Sequence, residues 1–286
     1  MRSSFFKSLT EIAKQRDDII ILTGDLGFKL FDDFKSKFPE RFYDVGVAEA
    51  NMIGIAAGLS LCGKNVYCYS IIPFLLMRTF EHIRIDIAYN KLKVKLVGVG
   101  GGFTYGLEGI THFGLEDFAL MRILPNMAVT APADPVEASA LAKASVDYEG
   151  PLYIRLGREK ECPLHDGPVE FSIGHPTVLS RGKDIAILAI GSMVYPAKQV
   201  EAKLREKRLS VSLINMHTLK PLNGEFLKQI ISNHKILFTL EEHYVSGGLG
   251  SAILEYLNES GFKGKLIRIG IPDKIQKYIG GSDYLK

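Results

Sequence analysis

The chain has 286 residues, 47% of them hydrophobic and 23% charged, with a formal charge of +3. That length accommodates one large or two medium domains with full cores, and the composition excludes a disordered chain. Basic and acidic residues are mixed along the sequence, and no basic run interleaves with aromatics, which argues against nucleic-acid binding.

The opening stretch MRSSFFKSLTEIAKQRDD lacks a sustained apolar core and a small-residue cleavage site, so no signal peptide is expected. No apolar stretch approaches the roughly 20 residues that a membrane helix requires. Cys62, Cys68 and Cys162 form no CxxC pair, and Cys62 and Cys68 read as small apolar packing groups. A reducing cytoplasm is the expected setting.

Residues 3–16 place Phe5, Leu9, Ile12 and Ala13 at helical spacing and predict an amphipathic helix. DDIIILTGDL carries a β-branched run that predicts a fully buried strand ending in a loop. FYDVGV predicts a short strand, and AEANMIGIAAGLSLCG a buried helix closed by Gly63. NVYCYSII follows as a strand, PFLLMRTFEHIRIDIAYN as one helix, and VKLVGVGGG as a buried strand ending in glycines. FALMRIL is helical up to Pro125 and MAVTAPA is a strand. DPVEASALAKASV is a helix with Asp134 as its cap and Pro135 in its first turn, and PLYIRLGR closes this half as a strand.

Residues 159–183 are punctuated by Pro and Gly and predict a crossover of short strands and turns. Strands and helices then alternate again: DIAILAIG, AKQVEAKLREKR, VSLINM, NGEFLKQIIS, KILFTLEE, GSAILEYLNES and KLIRIGI. This alternation predicts an α/β protein of two domains, 1–160 and 184–286, joined by a linker over 161–183. Each domain holds a mainly parallel sheet covered by helices.

Ligands of such sheets sit beyond the C-terminal strand ends. That rule selects the TGDLG loop, the VGVAE turn, GGGFTYGLEGITH and the end of YIRLGR. Glu49 opens the helix of Met52, Ile53, Ala56, Ala57 and Leu59. It is either a first-turn acid complementing the helix dipole or a buried carboxylate that needs a hydrogen-bond partner, for which a ligand nitrogen qualifies. Glu108 and His112 lie in a glycine-flanked loop, where a histidine is either a surface group or a catalyst. Phe74, Met77 and Phe80 recur every three residues, as a core stripe or a pocket wall would. Arg155 and Arg158 leave a strand end together, where guanidinium groups can grip phosphate. GVGGGFTYG and GGLG do not follow the strand–GxGxxG–helix order, and the chain has no Cys/His metal cluster, GxSxG or Walker lysine.

Taken together, VGVAEANMIGIAAGL, GLEGITHFGLEDFALMRILPNMAVTAPADPVEA, YIRLGR, TLKPL and EEHYVSGGLG resemble the transketolase family of thiamine diphosphate enzymes. The resemblance covers almost the whole chain. It matches a pyrimidine-binding domain followed by a C-terminal domain, as in the C-terminal subunit of split transketolases. It implies that Glu49 hydrogen-bonds N1′ of the cofactor's aminopyrimidine and favours the tautomer that deprotonates the thiazolium. It further implies that Phe74, Met77 and Phe80 form the aminopyrimidine pocket, with Asp25 near cofactor and substrate. His112 matches a histidine that contacts reacting oxygens, and Arg158 one that binds the sugar phosphate, with Arg155 beside it. The chain departs from the family at three substrate-facing positions: Glu108 replaces an Asp, Phe113 a Gln, and Lys29 falls near an expected phosphate-binding Ser.

The family's diphosphate group docks on a separate domain whose GDG motif and Asn hold Mg²⁺, and this chain has no GDG. The resemblance therefore implies thiamine diphosphate as cofactor, with Mg²⁺ or another divalent cation held by an N-terminal diphosphate-binding partner subunit and no metal ligand here. It also implies self-association into a heterotetramer and sugar phosphate substrates exchanging a two-carbon ketol unit, with neither nucleic acid nor membrane as partner. Three other readings stay open: the β subunit of a 2-oxo acid dehydrogenase, a deoxyxylulose-phosphate synthase, which normally has all its domains in one chain, and a non-catalytic assembly subunit.

Overall fold

A computed structural model describes residues 1–158 and 161–286. All five residues of β1 (Ile19–Thr23) are buried, as the unbroken β-branched run requires of a strand covered on both faces. β1 lies between β2 (Phe42–Asp44) and β3 (Asn65–Ile71). The sheet continues through β4 (Val94–Val99) and β6 (Leu152–Leu156) to β5 (Ala128–Thr130), every pair parallel. The helices α1 (Arg2–Ile12) and α7 (Pro135–Val146) cover one face, packing Phe5, Leu9, Leu141 and Ala142 against Ile19, Tyr67 and Ile154. Asp134 caps α7 as its sequence position predicts, its Oδ1 accepting the Glu137 amide at 2.8 Å. The short α2 (Asp32–Lys37) lies between β1 and β2 in the chain.

The opposite face is covered by α3 (Glu49–Leu61), α4 (Ile72–Leu76) and α6 (Asp117–Arg122). Two expectations change on this face. The helix predicted over 73–90 is broken into α4, one turn of α5 (Phe80–His82) and a π-helical segment over Ile83–Tyr89. Thr79 sits in the break, fully buried, and its hydroxyl donates to the Leu75 carbonyl, a local bond that competes with regular helix geometry. α3 is also only half buried: Met52, Ile53, Ala56 and Ala57 face the core, whereas Ile55, Leu61 and Cys62 are exposed. Cys68 is enclosed within β3, and burial pushes its thiol well above the ordinary range.

The second sheet runs β12 (Lys265–Ile271), β11 (Ile236–Tyr244), β8 (Ile185–Ala189), β9 (Val211–Asn215), β7 (Thr177–Ser180). It is parallel except for β7, which pairs antiparallel with β9 from within the segment 161–183. Its helices are α8 (Val194–Glu206), α9 (Gly224–Asn233), α10 (Leu249–Glu259) and the terminal α11 (Ser282–Leu285).

The two sheets are not independent. β10 (Thr218–Lys220) leaves the second domain and pairs antiparallel with β5 at the edge of the first sheet, Thr218 opposite Thr130. A single apolar cluster unites Met52, Leu75 and Met121 with Leu188, Ile214 and Leu249 from the second domain. Among the described residues, no helix is long and apolar enough to cross a membrane.

Candidate active site

The chain reverses after β2 through Gly46, whose positive φ of 72° suits glycine, and then enters α3 at Glu49. Asp44 ties this turn to the loop after β1, its Oδ1 accepting the amides of Gly46 and Asp25 at 3.0 and 2.9 Å. Gly24 packs closely here: a Cβ there would crowd the Gly46 carbonyl at 3.3 Å and touch Glu49 Oε1 at 3.7 Å. Asp25 and Lys29 both adopt positive φ and are exposed on this loop.

Glu49 is 2% exposed, so the chain does bury an acid at the head of α3. The chain also supplies its partners. Ser70, at the end of β3, donates its hydroxyl to Oε1 at 3.0 Å, and Arg78, in the break between α4 and α5, reaches Oε2 at 3.4 Å. The Arg78 guanidinium lies over the Phe74 ring, 4.7 Å from its centroid. Phe74 meets the His112 imidazole edge to face at 5.0 Å, and His112 lies 5.9 Å from the Tyr105 ring. Tyr105 in turn carries the Arg158 guanidinium 5.1 Å from its ring centre. A continuous line of side chains therefore runs from Glu49 through Arg78, Phe74, His112 and Tyr105 to Arg158.

Several candidates stand apart from this line. Phe80 packs on the core cluster that holds Met52 and lines an apolar crevice with Ile85, Tyr89 and Ile123. Met77 is partly exposed between Phe74 and Phe80, and Glu108 is exposed on the histidine loop. Arg155 points inward and is 7% exposed. Its guanidinium donates to the carbonyls of Gly114 and Glu242 at 3.0 and 2.7 Å, lies 3.5 Å from Asp117 and stacks over Phe118. Phe113, expected to face substrate, is buried against Phe103 and Leu115 instead.

The glycine run before the loop has a packing reason. A Cβ on Gly101 would strike the Arg155 guanidinium, and one on Gly102 would strike the Glu242 carboxylate. Glu242 Oε1 accepts the Phe103 amide at 2.8 Å, and its Oε2 accepts from Ser192 at 2.6 Å and pairs with Lys286 at 3.1 Å. The second domain thereby anchors the base of the loop that carries Glu108 and His112. GGLG is the start of α10, where the Leu249 and Gly250 amides donate to Glu241. An interdomain cavity of about 530 Å³ opens behind Arg158, lined by Thr104, Ser192, Tyr195 and Lys286. Glu49, Phe74 and His112 are not part of its walls.

Sequence reasoning misses Ser70, Arg78, Tyr105 and Glu242. For Arg78 a signal exists: it is the one cation interrupting PFLLMRTF.

Residues 1–162 match the transketolase pyrimidine-binding domain and residues 174–280 the transketolase C-terminal domain. The chain belongs to the transketolase family. It is 36% identical over 275 residues to one subunit of an apulose-4-phosphate transketolase from Phocaeicola vulgatus, covering 96% of this chain and 88% of that one. It is 36% identical over 287 residues to the 6-deoxy-6-sulfo-D-fructose transketolase subunit SqwH of a Clostridium species, covering 100% and 88%. A solved split-gene transketolase, described as an inactive beta4 tetramer, superimposes with a TM-score of 0.91 at 36% identity, covering 99% of this chain and 91% of that one.

Transketolase-family domains are associated with thiamine diphosphate, and the residues here fit the aminopyrimidine half of that group. Among the described residues, one oxygen of a buried carboxylate is held by a half-exposed arginine alone, beside an aromatic ring on which a flat heterocycle can lie. For the diphosphate half, no group of three or more His, Cys, Asp or Glu able to hold a metal ion occurs among the described residues.

Proposed function

We propose that this transketolase-family chain is the C-terminal subunit of a two-chain, thiamine diphosphate-dependent enzyme. Its reaction is the transfer of a two-carbon ketol unit between sugars that carry an anionic group, most simply sugar phosphates. The observation that carries this reading is the line of contacts from Glu49 to Arg158, which sets a buried carboxylate, an imidazole and an exposed guanidinium in sequence.

In this reading Glu49, held by Ser70, accepts a hydrogen bond from the aminopyrimidine, and Phe74 and Met77 bound that ring. When bound, the cofactor supplies the electron sink that lets a carbon–carbon bond beside a carbonyl break and re-form. His112 donates to, or takes a proton from, the sugar oxygens near the reacting carbon. Arg158 grips the anionic end of the sugar through two coplanar N–H groups. Glu108, Asp25 and Lys29 flank the sugar and tune which one is accepted. Arg155 serves from within, holding the Gly114 and Glu242 backbones. The two named relatives carry different sugars in their names, one phosphorylated and one sulfonated, and both offer a tetrahedral anion to such an arginine.

The placement of Glu49, Phe74 and His112 outside the walls of the interdomain cavity, together with the lack of a metal-ligand set among the described residues, supports a second subunit that closes the site and holds Mg²⁺ with the diphosphate. Calorimetry tests this. The purified chain should bind thiamine diphosphate weakly with Mg²⁺ present and gain affinity and ketol-transfer activity when the diphosphate-binding subunit is added. Tight Mg²⁺-dependent binding by the chain alone refutes the two-subunit reading.

A further inference from the structure

Glu49 has two unlike partners. Oε1 is fixed by Ser70, a fully buried hydroxyl at the end of a central strand. Oε2 is held at 3.4 Å by Arg78, whose side chain is 51% exposed and springs from the irregular break between two short helices. A carboxylate taken out of water requires compensation, and truncating one member of such a pair leaves the other stranded. One oxygen is thus tied to the scaffold and the other to a group that can leave.

The manner in which Arg78 holds it is informative. A guanidinium is a flat, delocalised N–C–N unit that donates in its plane and stacks through its faces. Arg78 uses both properties, donating to Oε2 while lying 4.7 Å over the Phe74 ring. An aminopyrimidine is likewise flat and stacks on aromatic rings, and in its N1′-protonated or imino form it presents a ring N–H that a carboxylate accepts. Both therefore compete for the same carboxylate oxygen and the same ring face.

We propose that Arg78 is a place-holder for the cofactor's pyrimidine: it neutralises Glu49 while the site is empty of cofactor and yields Oε2 and the face of Phe74 when cofactor arrives. The proposal rests on the reading of Glu49 as a cofactor contact. Arg78 is then a positioning residue. It keeps Glu49 extended toward the site in the separate subunit and sets part of the cost of loading it. Its side chain is 51% exposed, so it can turn toward solvent without displacing the core.

Two measurements test this, one of which needs no cofactor. In thermal unfolding of the isolated chain, Arg78→Met should lower Tm by about 2–5 °C, the effect of losing a half-exposed partner of a buried charge. Arg78→Lys should recover most of that loss, and Arg78→Met should cost little in a Glu49→Gln background. Losses that simply add across the two sites overturn the pairing. In the complex with the diphosphate-binding subunit, Arg78→Met should bind thiamine diphosphate with Mg²⁺ as tightly as the unaltered chain or up to about tenfold more tightly, because a competitor is gone. Glu49→Gln should bind more weakly. An Arg78→Met complex that loses affinity as Glu49→Gln does makes Arg78 a permanent cofactor contact and overturns the place-holder role. Unchanged affinity in Glu49→Gln sinks the reading of Glu49 itself, while the unfolding measurements still decide whether Arg78 is its counter-ion.

Discussion

The ring of Phe74 meets His112 edge to face at a centroid distance of 5.0 Å, joining the helix that follows β3 to the glycine-rich loop that follows β4. The contact is the hinge point of the site: Phe74 touches Arg78 on one side and His112 on the other. Edge-to-face pairs contribute about 0.5–1.5 kcal/mol beyond area burial, enough to bias the orientation of an imidazole on a loop. Phe74→Leu should therefore lower kcat of the two-subunit enzyme by about two- to tenfold through a misaligned His112, with His112→Ala lowering it further. Steady-state kinetics on both single variants and the double variant check this. Independent, multiplicative effects would mean that the ring does not orient the histidine.

Glu49 is expected to matter to chemistry far more than to folding. Acid–base assistance contributes about 10²–10⁴-fold, so Glu49→Ala should reduce turnover by at least about 10²-fold. Its melting temperature should stay close to that of the unaltered chain, because removing a buried carboxylate also removes its desolvation cost. A Glu49→Ala complex with near-normal turnover ends the assignment.

Arg158 is exposed and stacked on Tyr105, remote from Glu49 along the line of contacts. Its loss should act on substrate grip. With charged hydrogen bonds contributing about 1.5–3 kcal/mol each, Arg158→Ala should lower kcat/KM for anionic sugars by about 10- to 100-fold, mainly through KM. Cofactor affinity should not change. Comparison with an uncharged ketose decides the matter: equal losses for both substrates identify Arg158 as structural.

Much of the fold was legible because the dominant signals are local. The β-branched run of β1, the Asp134–Pro135 start of α7 and the strand–helix alternation after residue 184 each follow from short-range preference and periodicity. The broken helix was not legible, since PFLLMRTFEHIRIDIAYN has no Gly or Pro beyond its first residue to mark the break, and a Thr hydroxyl bonded four residues back, as Thr79 is to Leu75, also occurs within unbroken helices. At the site, Glu49 and His112 were visible as polar residues in unusual local settings. The resemblance, not the spacing, brought Phe74 and Arg158 beside them. Ser70, Tyr105 and Glu242 stayed hidden, because their roles come from what faces them across the fold: Glu49, Arg158 and the Phe103 amide. The inward turn of Arg155 and Phe113 was hidden for the same reason.

Glu241 provides a stability test away from the site. Burial pushes its carboxyl from 4.5 up to about 7, against the pull of the Gly250 and Leu249 amides. A folded-state value above the unfolded one means that the folded chain holds the proton more tightly. Its stabilising contribution is complete below about 4.5 and is lost as pH rises through about 7. Glu241→Gln should lower Tm overall, because its NH2 group would meet one of the two α10 amides donor to donor. It should also flatten the Tm profile between about pH 5 and about pH 8. His217, held down to about 4 by burial, tilts stability the opposite way over part of this window, so the two chains are compared at each pH. Parallel Tm profiles would falsify the assignment of that slope to Glu241.

The three residues of β10 have a consequence for where this protein tolerates being divided. β10 gives β5 its outer hydrogen-bonding neighbour, so a chain cut between the two domains would leave the first one with a raw strand edge open to whatever backbone came next. The second piece would lose the partner of its own crossing strand. The two domains are therefore stitched together, and a cut between the sheets would cost each of them an edge partner.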